Sequence, residues 1–112
     1  MKKLKQSFAW AKNGLKTVWI EERNFRIEIN IGIIAIVLGI LKGISRADWL
    51  FVFIAIGIVL CAEIVNTAVE DICNKIEPRE DPEIGKIKDI MAGFVLISCI
   101  VATLIGLYVF FR

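Results

Sequence analysis

The sequence has no histidine, and only two of its 112 residues are proline. Without histidine, the cysteines have no partner of that type to complete a zinc site. The three cysteines, Cys61, Cys73 and Cys99, show no CxxC spacing, which favours reduced packing residues over a zinc or redox site. The patterns GxxxxGK[ST] and GxGxxG are also missing, so any nucleotide site is neither a P-loop nor a kinase glycine-rich loop.

Net charge is also small, at +2, and the basic residues are grouped by position along the chain. Seven of them lie in the first 26 residues, and four lie between Cys73 and Asp89. By the positive-inside rule, this grouping places the N-terminus and the loop at 71–89 on the cytoplasmic side of a membrane. Topology thus accounts for the basic residues, and no nucleic-acid partner is predicted. The charged first 26 residues also argue against a signal peptide.

Apolar residues are abundant: they form 57% of the chain, and the mean hydropathy is +0.70. A soluble domain of this length does not need so many for its core. Crossing about 30 Å of hydrocarbon takes roughly 20 apolar residues, which predicts spans at about 24–42, 49–70 and 90–111. Residues 4–22 combine helical apolar spacing with lysines, which predicts an amphipathic helix in the membrane interface. We therefore predict a single domain over residues 1–112: an all-α membrane protein with a surface helix and three transmembrane helices.

Polar side chains in the second span are placed on one side of its helix. Glu63, Asn66 and Glu70 stand at i, i+3 and i+7, which puts all three on one face over two turns. Carboxylates and amides are costly in hydrocarbon and usually mark a functional site. A polar seam that only packs against other helices is the alternative. Two glutamates and an amide on the same face favour the functional interpretation.

A second acidic group lies where the surface helix meets the first span. Glu22 and Glu28 are expected at a depth comparable to that of Glu70, and carboxylates from different helices can hold a hard divalent cation. Glu21 fits this hypothesis as well as Glu22 does. Solvated ion pairs between these glutamates and Arg23 or Arg26 are equally consistent with the segment.

Four motifs together resemble one known family. They are Gly14-Leu15 with Trp19, Glu22-Arg-Asn-Phe25-Arg26-Ile-Glu28, Glu63-Ile-Val-Asn66-Thr-Ala-Val-Glu70, and Lys88-Asp89 with Ala92-Gly93. On these motifs the sequence resembles the small bacterial membrane kinases of the diacylglycerol kinase and undecaprenol kinase family, over nearly its whole length. The resemblance implies a homotrimer in the bacterial inner membrane, with active sites at subunit contacts. It also implies that ATP and Mg²⁺ are used to phosphorylate the hydroxyl of a membrane lipid.

The resemblance assigns roles on the lipid side of the site. Glu63 matches the catalytic base, which takes the proton from the lipid hydroxyl and so also touches the lipid substrate. Asn66 lies beside it and is expected to orient the base or the metal. Glu28 matches a polar position near the lipid head group. The metal and base chemistry needs only carboxylates, which agrees with the lack of histidine.

On the nucleotide side, the resemblance implies that Glu22 and Glu70 hold the divalent cation and contact ATP. Lys88 and Asp89 match nucleotide-contacting positions, although a lysine there is also an ordinary flank of a span. Trp10 lies where an aromatic ring approaches adenine in the family. The adenine contacts are otherwise not assigned.

Two other functions are compatible with parts of the sequence. A small proton-coupled transporter would use Glu63 as its intramembrane proton carrier, but it gives no reason for Glu22, Glu70 and Lys88. A membrane adaptor without enzymatic activity would bind no nucleotide. The lipid alcohol also stays open, although the Glu22-Arg-Asn-Phe25 motif looks more like the undecaprenol kinases than the diacylglycerol kinases.

Overall fold

The computed structural model describes all 112 residues and contains four α-helices and no strand. The helices are α1 (Lys2–Glu21), α2 (Arg23–Lys42), α3 (Arg46–Ile76) and α4 (Pro82–Phe110). The last three are each long and apolar enough to cross a membrane. The first helix is the predicted amphipathic one, and it packs on α2 and α3. The predicted fold class is thereby confirmed.

The helical conformation is interrupted between α1 and α2 at Glu22, whose backbone is extended with φ −111° and ψ 109°. Arg26, one turn into α2, reaches back to the end of α1. Its Nη1 donates to the carbonyls of Trp19 at 2.5 Å and Ile20 at 3.1 Å. Carbonyls in the last turn of a helix lack intrahelical partners, so this guanidinium satisfies them. Arg26 therefore fixes the angle between the two helices at Glu22.

The turn between α2 and α3 is made by Gly43 and Ser45. Gly43 has φ 66° and ψ 50°, a left-handed conformation that glycine adopts without a steric penalty. Its N–H donates to the carbonyl of Gly39, which ends α2. Ser45 caps the start of α3, because its hydroxyl accepts from the N–H of Asp48 at 3.2 Å.

The second and third long helices extend beyond the predicted spans, and the loop between them is only residues 77–81. Pro82 occupies the first turn of α4, where a missing N–H costs little, and Asp81 accepts from the N–H groups of Glu83 and Ile84. The 31 residues of α3 span about 46 Å, more than the roughly 30 Å of hydrocarbon. Part of α3 therefore continues as helix outside the apolar layer.

Helix α3 is the centre of the bundle, since it packs on both α2 and α4. It supplies much of the buried core: Val52, Ala55, Val59, Ala62 and Cys73. Only 14 of the 112 residues are buried, so most large apolar side chains face outward. Such surfaces suit a protein whose outer solvent is lipid.

Candidate active site

Glu63 is the most buried of the polar side chains on α3. It is 2% exposed, and its Oε2 has no hydrogen-bond partner. Asn66 and Glu70 follow on the same helix face and are half-buried. A buried carboxylate oxygen without a partner is costly and uncommon in folded proteins. The unpaired oxygen of Glu63 is therefore a free hydrogen-bond acceptor inside the bundle.

Three carboxylates from two parts of the chain affect Glu63 through their charge. Glu22, Glu28 and Glu70 all act electrostatically on it. Glu70 is on α3 itself, whereas Glu22 and Glu28 come from the start of α2. The structure thus brings together the acidic residues that the sequence placed in two separate groups. We call this end of the bundle, which carries Glu22, Glu63 and Glu70, the acidic end.

Glu22 lies across from Glu70 at the junction of α1 and α2. Partial burial raises the pKa of Glu22, and the charges of Glu70, Asp71 and Glu21 raise it further, against a smaller opposite effect of Arg26. The carboxylates of Glu22 and Glu70 therefore repel each other across the gap between two helices. A divalent cation between them would relieve this repulsion.

Glu21 has a different main neighbour from Glu22. Its pKa is raised chiefly by the charge of Asp71, and to a smaller extent by desolvation. Glu21 is exposed, whereas Glu22 is half-buried. The structure therefore separates two glutamates that the sequence could not rank. The role of Asp71 was not predicted, although its position directly after Glu70 was a possible signal.

No group of three or more cysteine, aspartate or glutamate side chains converges as a closed metal site. The predicted magnesium ligands are only two, Glu22 and Glu70. Mg²⁺ usually takes one or two carboxylates from a protein and fills its octahedron with phosphate oxygens and water. The magnesium cofactor stays a prediction.

The predicted nucleotide residues lie in different settings. Lys88 Nζ donates to Asn74 Oδ1 at 3.0 Å, one turn beyond Glu70, so it belongs to the acidic end. Asp89, next to it, is exposed. Trp10 is 64% exposed on the outer side of α1. Asn74 was not predicted, although its place four residues after Glu70 continues the polar face of α3.

Glu28 lines a cavity of about 430 Å³ between α2, α3 and α4. It is the only carboxylate in the wall, which is otherwise mostly apolar and includes Ile31, Leu38, Val59 and Leu107. The cavity extends toward the opposite end of the bundle, where Phe110 and Phe111 also line it. The space therefore joins one carboxylate to a long, mostly apolar wall.

Three apolar helices, with carboxylates that act on one another electrostatically, define an all-α membrane protein with an acidic candidate site. The family model described as prokaryotic diacylglycerol kinase matches residues 9–110. The chain belongs to the prokaryotic diacylglycerol kinase family of membrane lipid kinases. This finding confirms the family that the motifs indicated, and with it the prediction of a lipid kinase.

Individual relatives match over most of their length. The undecaprenol kinase of Bacillus subtilis (strain 168) is 30% identical over 105 residues, covering 94% of this chain and 85% of that one. The diacylglycerol kinase of Escherichia coli (strain K12) is 28% identical over 97 residues, covering 87% and 78%. A diacylglycerol kinase of Helicobacter pylori is 28% identical over 104 residues, covering 93% and 81%.

Proposed function

We propose that this protein transfers the terminal phosphoryl group of ATP, in the presence of Mg²⁺, to the hydroxyl of a membrane lipid, either diacylglycerol or undecaprenol. The observation that carries the proposal is the unpaired, buried Oε2 of Glu63, on the same helix face as Glu70 and within electrostatic range of Glu22. Membership of a kinase family favours this function over a proton-coupled transporter, for which Glu63 alone would suffice.

Glu63 is suited to take the proton from the attacking hydroxyl. Its Oε2 is buried and has no hydrogen-bond partner, so this oxygen can accept from an O–H group. The hydroxyl oxygen then bonds to the terminal phosphorus, and the bond from that phosphorus to the bridging oxygen of ADP breaks. Asn66, one turn along the same face, is placed to orient the groups around the base. Positioning and charge neutralisation suffice for this reaction without a covalent intermediate.

Glu22 and Glu70 would hold the magnesium ion between the two helices. When bound, the ion neutralises part of the charge on the phosphates. Burial, and after it the charge of Glu70, raises the pKa of Glu22, and a cation between the two carboxylates would offset the repulsion. Lys88 would meet the phosphates from α4, while Asp89 and Trp10 are proposed nucleotide contacts on the strength of the family resemblance.

The cavity beside Glu28 suits the hydrocarbon chain of a lipid alcohol. Its apolar wall runs along α2, α3 and α4, and its volume lies in the range of small-molecule sites. With the chain in this cavity, the polar head of the lipid would lie near Glu28 and Glu63. Both residues are therefore proposed contacts of the lipid substrate.

The proposed assembly is a homotrimer in the bacterial inner membrane, with the N-terminus and the active site on the cytoplasmic side. The grouping of lysine and arginine residues supports this orientation. Asn30 supports the association, because it is exposed within the apolar helix α2. A polar side chain facing hydrocarbon is stabilised when a neighbouring helix covers it.

Phosphate transfer by detergent-purified protein tests the proposal. ATP and Mg²⁺ would be supplied with diacylglycerol or undecaprenol in parallel reactions, using the wild-type chain, Glu63→Gln and the control Glu80→Gln. Glu80 is an exposed loop residue, so its variant loses one carboxylate outside the site. We expect transfer to one lipid that falls by at least about 100-fold in Glu63→Gln only. Equal activity of Glu63→Gln and wild type would remove Glu63 as the base, and no transfer by folded wild type to either lipid would contradict the proposed function.

A further inference from the structure

The side chain of Lys88 is held by one residue of the neighbouring helix. Its Nζ donates to Asn74 Oδ1 at 3.0 Å, from the second turn of α4 to the last turns of α3. Lys88 forms no ion pair, since the salt bridges of the chain are Arg79 with Glu77 and Arg112 with Asp48. Its position therefore depends on a neutral acceptor.

Asn74 extends the polar face of α3 by one more turn. It stands four residues after Glu70, and so eleven after Glu63, which keeps all three on the same side of the helix. Four residues of helix correspond to about 6 Å along the axis. The hydrogen bond therefore places the Lys88 ammonium about one turn from the carboxylate of Glu70.

An amide oxygen is a useful acceptor at this place for two reasons. It accepts one proton of the ammonium and leaves the other two donors free, since a lysine carries three. It also leaves the positive charge of Lys88 in place for an anionic ligand. A lysine side chain that is not held loses more conformational freedom when it binds a phosphate.

We propose that Asn74 is a positioning residue that holds the Lys88 ammonium beside Glu70, where the phosphates of the nucleotide bind. The inference rests on the proposed function, because the phosphate-bearing ligand is the ATP of that reaction. It adds to that function a residue that touches neither the lipid nor the reacting atoms. Its effect passes through Lys88 alone.

A double-mutant cycle with Asn74→Ala and Lys88→Met tests this inference through steady-state kinetics with ATP as the varied substrate. We expect Asn74→Ala to raise the KM for ATP by about fivefold, the factor of one lost hydrogen bond, with kcat changed by less than about twofold. In the Lys88→Met background, Asn74→Ala should cause no further change in KM. Lys86→Met is the matched control, because it removes an exposed lysine from the same turn region of α4.

Three results would overturn the inference. One is an unchanged KM in Asn74→Ala, and another is a rise in KM that persists undiminished without Lys88. The third is a fall in kcat together with a fall in unfolding temperature in Asn74→Ala, which would show that the residue only stabilises the fold. Failure of the proposed function is recognised separately, because the wild-type chain would then transfer no phosphate.

Discussion

Arg112, the last residue, forms an ion pair with Asp48 in the first turn of α3, with 2.5 Å between Nη2 and Oδ2. The Asp48 side chain is 5% exposed, and the Arg112 side chain is 47% exposed. The guanidinium also lies 4.9 Å from the centre of the Tyr108 ring. Nearby, Lys42 donates to the carbonyl of Phe110. The end of α4 is thus joined to both α2 and α3, at the end of the bundle opposite the acidic end.

Replacing Arg112 by glutamine should lower the stability of the bundle. Asp48 would keep its buried charge without a partner, which is costly, but the half-exposed position of Arg112 reduces the effect to about 1–2 kcal/mol. Thermal unfolding in detergent micelles measures it, with Arg46→Gln as control. Arg46 is an exposed arginine at the start of α3 that forms no ion pair. If the two variants unfold at the same temperature, the ion pair contributes nothing measurable.

Adding a methyl group at Gly39 should also destabilise the fold. A Cβ there would lie 2.8 Å from Cη2 of Trp49, whose ring stacks on Phe53 with 5.6 Å between centroids. Because the ring also packs on Phe53 and has to shift to admit the methyl group, Gly39→Ala is expected to cost about 1–3 kcal/mol. Gly57→Ala is the matched control, since a Cβ at Gly57 meets nothing within 4 Å. That variant should be neutral or more stable, by up to about 1 kcal/mol. Equal unfolding temperatures for the two variants would show that Trp49 moves aside.

Stability should depend on pH through the Glu21 and Asp71 carboxylates. Folding raises the pKa of Glu21, chiefly because Asp71 lies beside it, so the folded chain binds this proton more tightly than the unfolded chain. Below the pKa of Glu21 in the unfolded chain, this residue therefore costs no stability. The cost grows as pH rises through the pKa of Glu21 in the folded chain. As pH rises from about 4 to 7, the free energy of unfolding should therefore fall less in Glu21→Gln than in wild type.

Melting temperatures across this pH range, in one detergent, measure the difference. Glu80→Gln serves as control, because it removes an exposed carboxylate from the loop after α3. Parallel pH curves for wild type, Glu21→Gln and Glu80→Gln would contradict the predicted repulsion between α1 and α3.

The magnesium requirement should distinguish Glu22 from Glu21. If Glu22 and Glu70 hold the ion, Glu22→Gln and Glu70→Gln should each raise the Mg²⁺ concentration for half-maximal rate by about tenfold or more, because a carboxylate ligand is lost. Glu21→Gln, which changes the neighbouring exposed residue, should leave it within about twofold of wild type. The Mg²⁺ concentration for half-maximal rate is obtained from initial rates measured at increasing free Mg²⁺ and saturating ATP. A larger shift in Glu21→Gln than in Glu22→Gln would move the proposed site to the pair of Glu21 and Asp71.

The helices themselves were predictable in number and type, but not in length. Apolar runs report where a chain can face hydrocarbon, and they placed the second span at about 49–70 and the third at about 90–111. The structure continues α3 to Ile76 and starts α4 at Pro82. The reason is that helix continues into water where caps and packing support it, as with Asp81 at the start of α4.

The sequence by itself determined the three apolar helices, the amphipathic first helix and the polar face with Glu63, Asn66 and Glu70. These features depend on local composition and on the 3.6-residue period, which a single helix carries alone. Tertiary structure alone decided that Glu70 is the carboxylate with the largest electrostatic effect on Glu22, that Asp71 has this effect on Glu21, and that Lys88 meets Asn74. Each of these pairs brings together distant parts of the chain, and its geometry depends on how the helices pack and rotate about their axes. No periodicity within one segment encodes that rotation.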